Sequence, residues 1–258
     1  MLQRIQFPDA ELLLQGAQLA RFKDWLFFPS NPDFEAGKSF HGGVPVIFPW
    51  FGPKRDDPKA SGHGWARTMP WTVESQSPQS IALSLDSRSM SGATGAWPFH
   101  VRLEYTFGDT LNASFFVRNE GESATTFECA LHTYFAVSNV SEVEIEGLDG
   151  LTFIDKTQNY AREVQSGNVR FEGEVDRVYL DAPSTLRIRD GATGFELRGD
   201  WESAVTWNPG QDKGTAMSDL GADGWTRFVC LETGAIADNA VALGAGESWT
   251  MNMEVARL

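Results

Sequence analysis

Apolar and polar residues alternate one for one through segment after segment of this chain. No other feature restricts the fold as much. In His100-Val-Arg-Leu-Glu-Tyr-Thr-Phe107, the residues Val101, Leu103, Tyr105 and Phe107 fall on one side of an extended chain, while His100, Arg102, Glu104 and Thr106 take the other. The same period runs through Ile81, Leu83 and Leu85, through Val143 and Ile145 between glutamates, and through Leu186 and Ile188 between arginines. It returns at the C-terminus in Trp249, Met251, Met253 and Val255. Such segments are half-buried strands of antiparallel sheets. Turn sequences separate them: Gly108-Asp109, Asn119-Glu-Gly121, Asp149-Gly150, Asp190-Gly191 and Gly199-Asp200. No stretch carries a long helical period. The pattern predicts an all-β fold, a large sandwich of antiparallel sheets. With no Ser/Pro-rich linker, charge block or internal repeat, it also predicts a single domain over residues 1–258.

Nine Trp and eighteen Phe in 258 residues supply the bulk for a sizeable core, and flat rings also suit the C–H faces of a sugar. The formal net charge of −14 repels nucleic acid and anionic membranes, so neither is an expected partner. Cys129 and Cys230 form no CxxC and no disulfide framework, which fits a reducing compartment. The N-terminal residues lack the apolar run of a signal peptide, and no stretch has the length of a transmembrane helix. A cytoplasmic, soluble monomer is the expectation.

Three stretches concentrate the chemistry. In Ala130-Leu-His-Thr-Tyr-Phe-Ala136, alternation puts Leu131, Thr133 and Phe135 on one face and His132 with Tyr134 on the other. A partly shielded histidine beside a tyrosine can exchange protons near neutral pH, although a lone histidine of this kind is more often a core residue bonded to a carbonyl. In Phe228-Val-Cys-Leu-Glu232-Thr-Gly234, one carboxylate ends an apolar strand, where burial raises its pKa toward the working range of a general base. The loop-rich region from Asn31 to Pro70 contains His41-Gly-Gly-Val-Pro-Val-Ile-Phe-Pro-Trp-Phe-Gly-Pro53, a stiff path with aromatic walls, followed by His63-Gly-Trp-Ala-Arg67. Arg67 can grip a phosphate bidentately, hold a sugar hydroxyl, or form a surface salt bridge. Lys54 and Arg55 precede Asp56 and Asp57 at once and read as a solvated charge cluster. The four histidines, at 41, 63, 100 and 132, show no metal-ligand spacing.

Six motifs occur in order: Gly42-Gly-Val-Pro-Val-Ile-Phe-Pro-Trp-Phe-Gly52, His63-Gly-Trp-Ala-Arg67, Leu131-His-Thr-Tyr-Phe135, Asp176-Arg-Val-Tyr179, Trp207-Asn-Pro209 and Val229-Cys-Leu-Glu232. Together they resemble the glucose-6-phosphate 1-epimerase (hexose-6-phosphate mutarotase) family. That family has the galactose-mutarotase-like β-supersandwich fold of the aldose 1-epimerases. The resemblance spans roughly residues 10 to 255 and implies site residues. His132 and Glu232 stand at the catalytic positions, and Arg67 and Asp176 at substrate-contact positions. His63 opens a motif that faces the same pocket. The family arginine before the paired glycines is replaced by His41, and a glutamine that some members place before the second motif is Gly62. Both changes remove polar reach toward the phosphate end.

Mutarotation opens a pyranose ring and closes it on the other face. One group takes the proton of the anomeric hydroxyl and a second protonates the ring oxygen, so a carboxylate and a histidine suffice without metal or cofactor. The sequence assigns Glu232 as base and His132 as acid, the two side chains flanking one ring about 5–8 Å apart. The expected partner is a small-molecule sugar or sugar phosphate, glucose 6-phosphate first. Two alternatives stand beside this reading, a non-catalytic sugar-binding protein on the same fold and an epimerase of free hexoses. A glycoside hydrolase would need paired carboxylates, and only one strong candidate is present.

Overall fold

The structure, a computed structural model, describes residues 2–29, 35–54, 56–89 and 97–258. Arg55 and part of the loop that begins at Asn31 therefore lie outside the described residues. Two large antiparallel sheets dominate. The nine-stranded sheet runs in the order Val169–Arg170, Val143–Glu146, Thr185–Asp190, Thr193–Gly199, Ser248–Arg257, Leu111–Asn119, Phe99–Phe107, Ser80–Asp86, Thr72–Ser77. Its strands are the alternating segments of the sequence. In Phe99–Phe107 every second residue from Phe99 to Phe107 is buried, and the residues between them are half-buried or exposed.

The eight-stranded sheet carries the site. Its order is Ala161–Val164, Thr152–Asp155, Val175–Leu180, Ser203–Asn208, Phe228–Ala235, Cys129–Leu131, Val46–Ile47, with Tyr134–Ala136 also pairing on Phe228–Ala235. The central strands Ser203–Asn208 and Phe228–Ala235 are buried along their whole length, on both faces. One face bears Phe153, Tyr179, Ala204, Leu131, Phe135, Val229 and Leu231. These join Val101, Leu103, Phe115, Val117, Met251 and Val255 of the nine-stranded sheet in one continuous core. Facing sheets of half-buried strands pack in this way because each has one apolar side to hide.

The opposite face of the eight-stranded sheet has two smaller apolar clusters. One holds Ile47, Ala130, Ile154, Val178, Leu180, Val205 and Ile236, and the other holds Tyr134, Trp207, Leu220, Phe228 and Cys230. Loops cover this face, and the polar groups of the site share it with the two clusters. The α-helix Gly210–Ala216, which no helical period announces, follows Trp207-Asn-Pro209 at its rim. A three-stranded sheet (Arg4–Gln6, Ala10–Leu13, Gln18–Phe22) and the pair Thr125–Phe127 with Val241–Leu243 complete the strands among the described residues. No helix among those residues is long and apolar enough to cross a membrane.

Candidate active site

Strand register brings His132 and Glu232 together. Leu131 pairs with Thr233 and Tyr134 with Cys230, so the register is the same on both sides of the gap between the strands Cys129–Leu131 and Tyr134–Ala136. Continued across that gap, it sets His132 opposite Glu232. The gap is a local kink. The amide of His132 donates to Pro45 O at 2.9 Å, that of Thr133 to Leu131 O at 2.9 Å and that of Tyr134 to Gly43 O at 2.9 Å. The chain thus exchanges two ladder positions for contacts with the Gly42–Gly52 loop. The faces follow the sequence alternation: Leu131 and Phe135 enter the main core, while the rings of His132 and Tyr134 stack at 5.0 Å on the other side.

His132 Nε2 lies 3.2 Å from Glu232 Oε1. This is closer than the expected flanking distance of about 5–8 Å. The reason is the register: directly opposed cross-strand residues have Cβ atoms only about 4.5–5.5 Å apart, so the two side chains touch. Both are buried, and His132 Nδ1, Glu232 Oε2 and Arg67 Nε are buried without a hydrogen-bond partner in the protein. Buried polar atoms are rarely left unpaired, so three around one pocket mark a place built for polar ligand atoms.

All six sequence-predicted residues line this single pocket of about 450 Å³. Arg67 enters from the short 3₁₀ turn Ala66–Thr68, and its Nη2 donates to Gly62 O at 2.7 Å rather than to a surface carboxylate. His63 has φ +64° and is tied to Gly52 twice. Its amide donates to Gly52 O at 2.8 Å, and its Nδ1 accepts from the Gly52 amide at 3.4 Å, which leaves Nε2 as the protonated nitrogen of a neutral ring. Asp176 is held 2.9 Å from the ammonium of Lys156. His41 is held by Asp219, whose Oδ2 is 2.7 Å from His41 Nδ1 and 3.2 Å from its amide. The His41 ring stacks on Trp207 at 6.2 Å and 18°.

The pocket electrostatics follow from burial. Desolvation, assisted by the charges of Arg67 and Lys156, lowers His63 to about 3. Desolvation also pushes His132 well below its ordinary value, helped by His63 and Arg67. It pushes Glu232 well above the usual carboxylate range, opposed by the cations Lys156 and Arg67. The free pair therefore favours a neutral imidazole beside a protonated carboxyl, with one labile proton between them. Burial likewise raises Asp176, with Lys156 pulling the other way. Asp219 is lowered on balance, since the hydrogen bonds and charge of His41 outweigh its own burial.

Lys156, Tyr160, Glu174 and Lys213 also line the pocket and did not stand out in the sequence, nor did Asp219, which stands behind His41. Lys213 lies on the short helix Gly210–Ala216 and the others in turns or beside a strand end, all in an ordinary polar context that carries no periodic signal. Lys54, by contrast, does not line this pocket. Its ammonium lies over Trp50 at 5.0 Å and 3.8 Å from Asp56, beside a neighbouring cavity.

Comparisons with known proteins agree with this fold. A protein of Escherichia coli (strain K12), named as a candidate glucose-6-phosphate 1-epimerase, is 33% identical over 237 residues, covering 87% of this chain and 79% of that protein. One from Cenchrus ciliaris with the same name is 31% identical over 262 residues, covering 93% of this chain and 78% of its own length. The crystal structure of a candidate mutarotase from Salmonella typhimurium superposes with a TM-score of 0.87 at 26% identity, covering 98% of this chain and 89% of that one. The sequence profile of the aldose 1-epimerase family matches residues 2–256, and the chain belongs to that family.

Proposed function

We propose that this protein is a mutarotase that interconverts the α and β anomers of a hexose 6-phosphate, glucose 6-phosphate first. The observation that carries the reading is the buried contact of His132 Nε2 with Glu232 Oε1 at the floor of a pocket of about 450 Å³. A carboxylate and an imidazole that share one proton are the minimum equipment for ring opening and closure. Membership in the aldose 1-epimerase family and the names of the relatives support the substrate class.

The reaction runs from the form in which the shared proton is on His132. Lys156 favours that form because it draws Glu232 toward its charged state, whereas Arg67 draws Glu232 the same way but opposes the charge on His132. Glu232 takes the proton of the anomeric hydroxyl as His132 delivers one to the ring oxygen. The C1–ring-oxygen bond breaks and the C1 carbonyl forms. At this stage the carboxyl is protonated and the imidazole neutral, the pairing that burial favours in the free site. The aldehyde turns about C1–C2, the ring oxygen attacks its other face, and both protons return. No net proton, electron or atom is exchanged with solvent. His63 Nε2, Arg67 and Asp176 hold ring hydroxyls, and the faces of Trp207 and Tyr134 supply the apolar wall.

Anomer exchange followed by NMR saturation transfer on glucose 6-phosphate, galactose 6-phosphate and the free sugars tests the reading. Exchange should be fastest on a 6-phosphate. His132→Asn and Glu232→Gln should each slow it by roughly 10²-fold or more. Near-wild-type exchange in either variant would refute the assignment of that residue. Equal turnover of free and phosphorylated hexoses would make the protein an aldose 1-epimerase without phosphate preference.

A further inference from the structure

Glu128 lines the cavity next to the catalytic pocket, half-buried where three segments meet. It precedes the strand Cys129–Leu131, which leads to His132. Its amide donates to Pro49 O at 3.0 Å. Its carboxylate accepts from two further backbone amides, Oε2 from Phe51 at 2.9 Å and Oε1 from Ala237 at 2.7 Å. Ala237 has φ 56° and opens the turn that follows the Glu232 strand, Phe228–Ala235. One side chain thus ties the site loop to the exit of that strand. Each oxygen is matched to one donor, and an ionised acceptor makes such bonds stronger than a neutral one would.

The Phe51 end of this clamp bears on His63. The Gly52 amide donates to His63 Nδ1 at 3.4 Å, and Gly52 O accepts from the His63 amide at 2.8 Å. The rings of Phe51 and His63 meet nearly at right angles, 4.7 Å apart. The backbone of His63 is held from its other side, where Phe48 O accepts from the Trp65 amide at 3.1 Å. Gly52 has no such support from packing: with φ +70°, a Cβ added there would meet nothing within 4 Å. Its amide, which sets the tautomer of the His63 ring, therefore depends on the neighbouring Phe51 amide and on the carboxylate that takes it.

The consequence is chemical. A neutral imidazole has one N–H and one lone pair, and a donor at Nδ1 leaves the proton on Nε2. With Gly52 in place, Nε2 is an N–H donor for a sugar oxygen. With the Gly52 amide turned away, the proton is free to move to Nδ1, and Nε2 becomes an acceptor. The pocket then loses a fixed donor without losing a residue. Desolvation keeps the ring uncharged in either case, so the tautomer and not the charge is the variable.

We propose that Glu128 is a positioning residue for the reaction, its carboxylate holding the Phe51–Gly52 segment so that His63 presents Nε2–H to the sugar. This rests on the mutarotase reading above. Glu128→Gln in the full chain keeps the size of the side chain but sets an NH2 group against one of the two backbone donors. Its kcat/KM for anomer exchange of glucose 6-phosphate should fall roughly 10-fold. In a His63→Asn background the same change should cost less than roughly 2-fold, because residues that act through one another are not additive. The nitrogen shifts of the His63 ring, read by NMR at neutral pH without substrate, should place the proton on Nε2 in the wild type and move it toward Nδ1 in Glu128→Gln. If Glu128→Gln does not fold, Glu128→Asp, which keeps the charge but is one methylene shorter, takes its place in both measurements. No loss of kcat/KM, equal losses in the two backgrounds, or an unchanged His63 tautomer overturns the assignment, since a residue that merely held the fold would leave His63 out of its effect. If the wild type turns over no sugar, the mutarotase reading fails, and the His63 shifts alone then decide the role of Glu128.

Discussion

His63 shows how strongly the pocket acts on a single residue. Its pKa is lowered from 6.5 to about 3, chiefly because the charged ring would lose its hydration. Between those values the unfolded chain binds a proton that the folded chain refuses. Stability therefore rises with pH across this window and is lost on acidification below about 6.5. At pH 5 the cost is about 2 kcal/mol relative to pH 7. His132 acts in the same direction and Glu232 in the opposite one, because its raised pKa favours the folded state's proton uptake. The comparison must therefore be made against a variant that lacks only the His63 term. Asparagine tolerates the left-handed backbone at this position (φ +64°). In urea unfolding at pH 7 and pH 5, His63→Asn should lose about 2 kcal/mol less on acidification than the wild type. Equal losses would show that His63 is protonated in the folded protein.

The loop Gly42–Gly52 and the His63–Arg67 turn are set by backbone contacts that depend on small residues. Phe48 O accepts from the amides of Trp65 at 3.1 Å and Ala66 at 3.2 Å, which closes the turn onto the loop. Gly64, with φ +69°, passes so close that an added Cβ would sit 2.0 Å from that same oxygen. The backbone would have to retreat, and His63 and Arg67 on either side would move with it. Gly64→Ala should cost about 2–4 kcal/mol and lower the Tm by roughly 5–10 °C. Thermal unfolding followed by circular dichroism checks this, and an unchanged Tm would mean that the turn has room to relax. The same closeness explains how a short loop fixes the segment that carries His132, since the amides of His132 and Tyr134 donate to Pro45 and Gly43 of that loop.

Across the whole molecule, the two large sheets share one core. Phe48, fully buried, makes ring contacts at 5.4–6.1 Å with Trp65 of the site turn, with Trp97, Phe99 and Phe115 in or next to the nine-stranded sheet, and with Phe127 of the strand Thr125–Phe127. Removing it should be felt everywhere at once. Phe48→Ala should destabilise by about 3–5 kcal/mol. Tryptophan fluorescence and far-ultraviolet circular dichroism should still trace one coincident transition. Two separated transitions would show that the sheets unfold as independent units.

The sequence by itself determined the class of fold and the inventory of the site. The alternating strands Phe99–Phe107 and Ser248–Arg257 were legible because a side chain's face in a strand depends only on its parity, a local rule. The same rule separated Leu131 and Phe135 from His132 and Tyr134. Ordered motifs marked His41, His63, Arg67, Asp176 and Glu232 because each sits in an unusual local context of glycine, aromatic or apolar neighbours. Only the tertiary structure decided how those residues meet. That His132 and Glu232 touch at 3.2 Å follows from a register between strands far apart in the chain, which no local pattern encodes. Lys156 enters the pocket from a plain polar turn and Lys213 from the short helix Gly210–Ala216, and only the folding of those segments over the sheet brings them there. The pKa directions were decided at the same level, because desolvation depends on what surrounds a group in space and not on its neighbours in sequence.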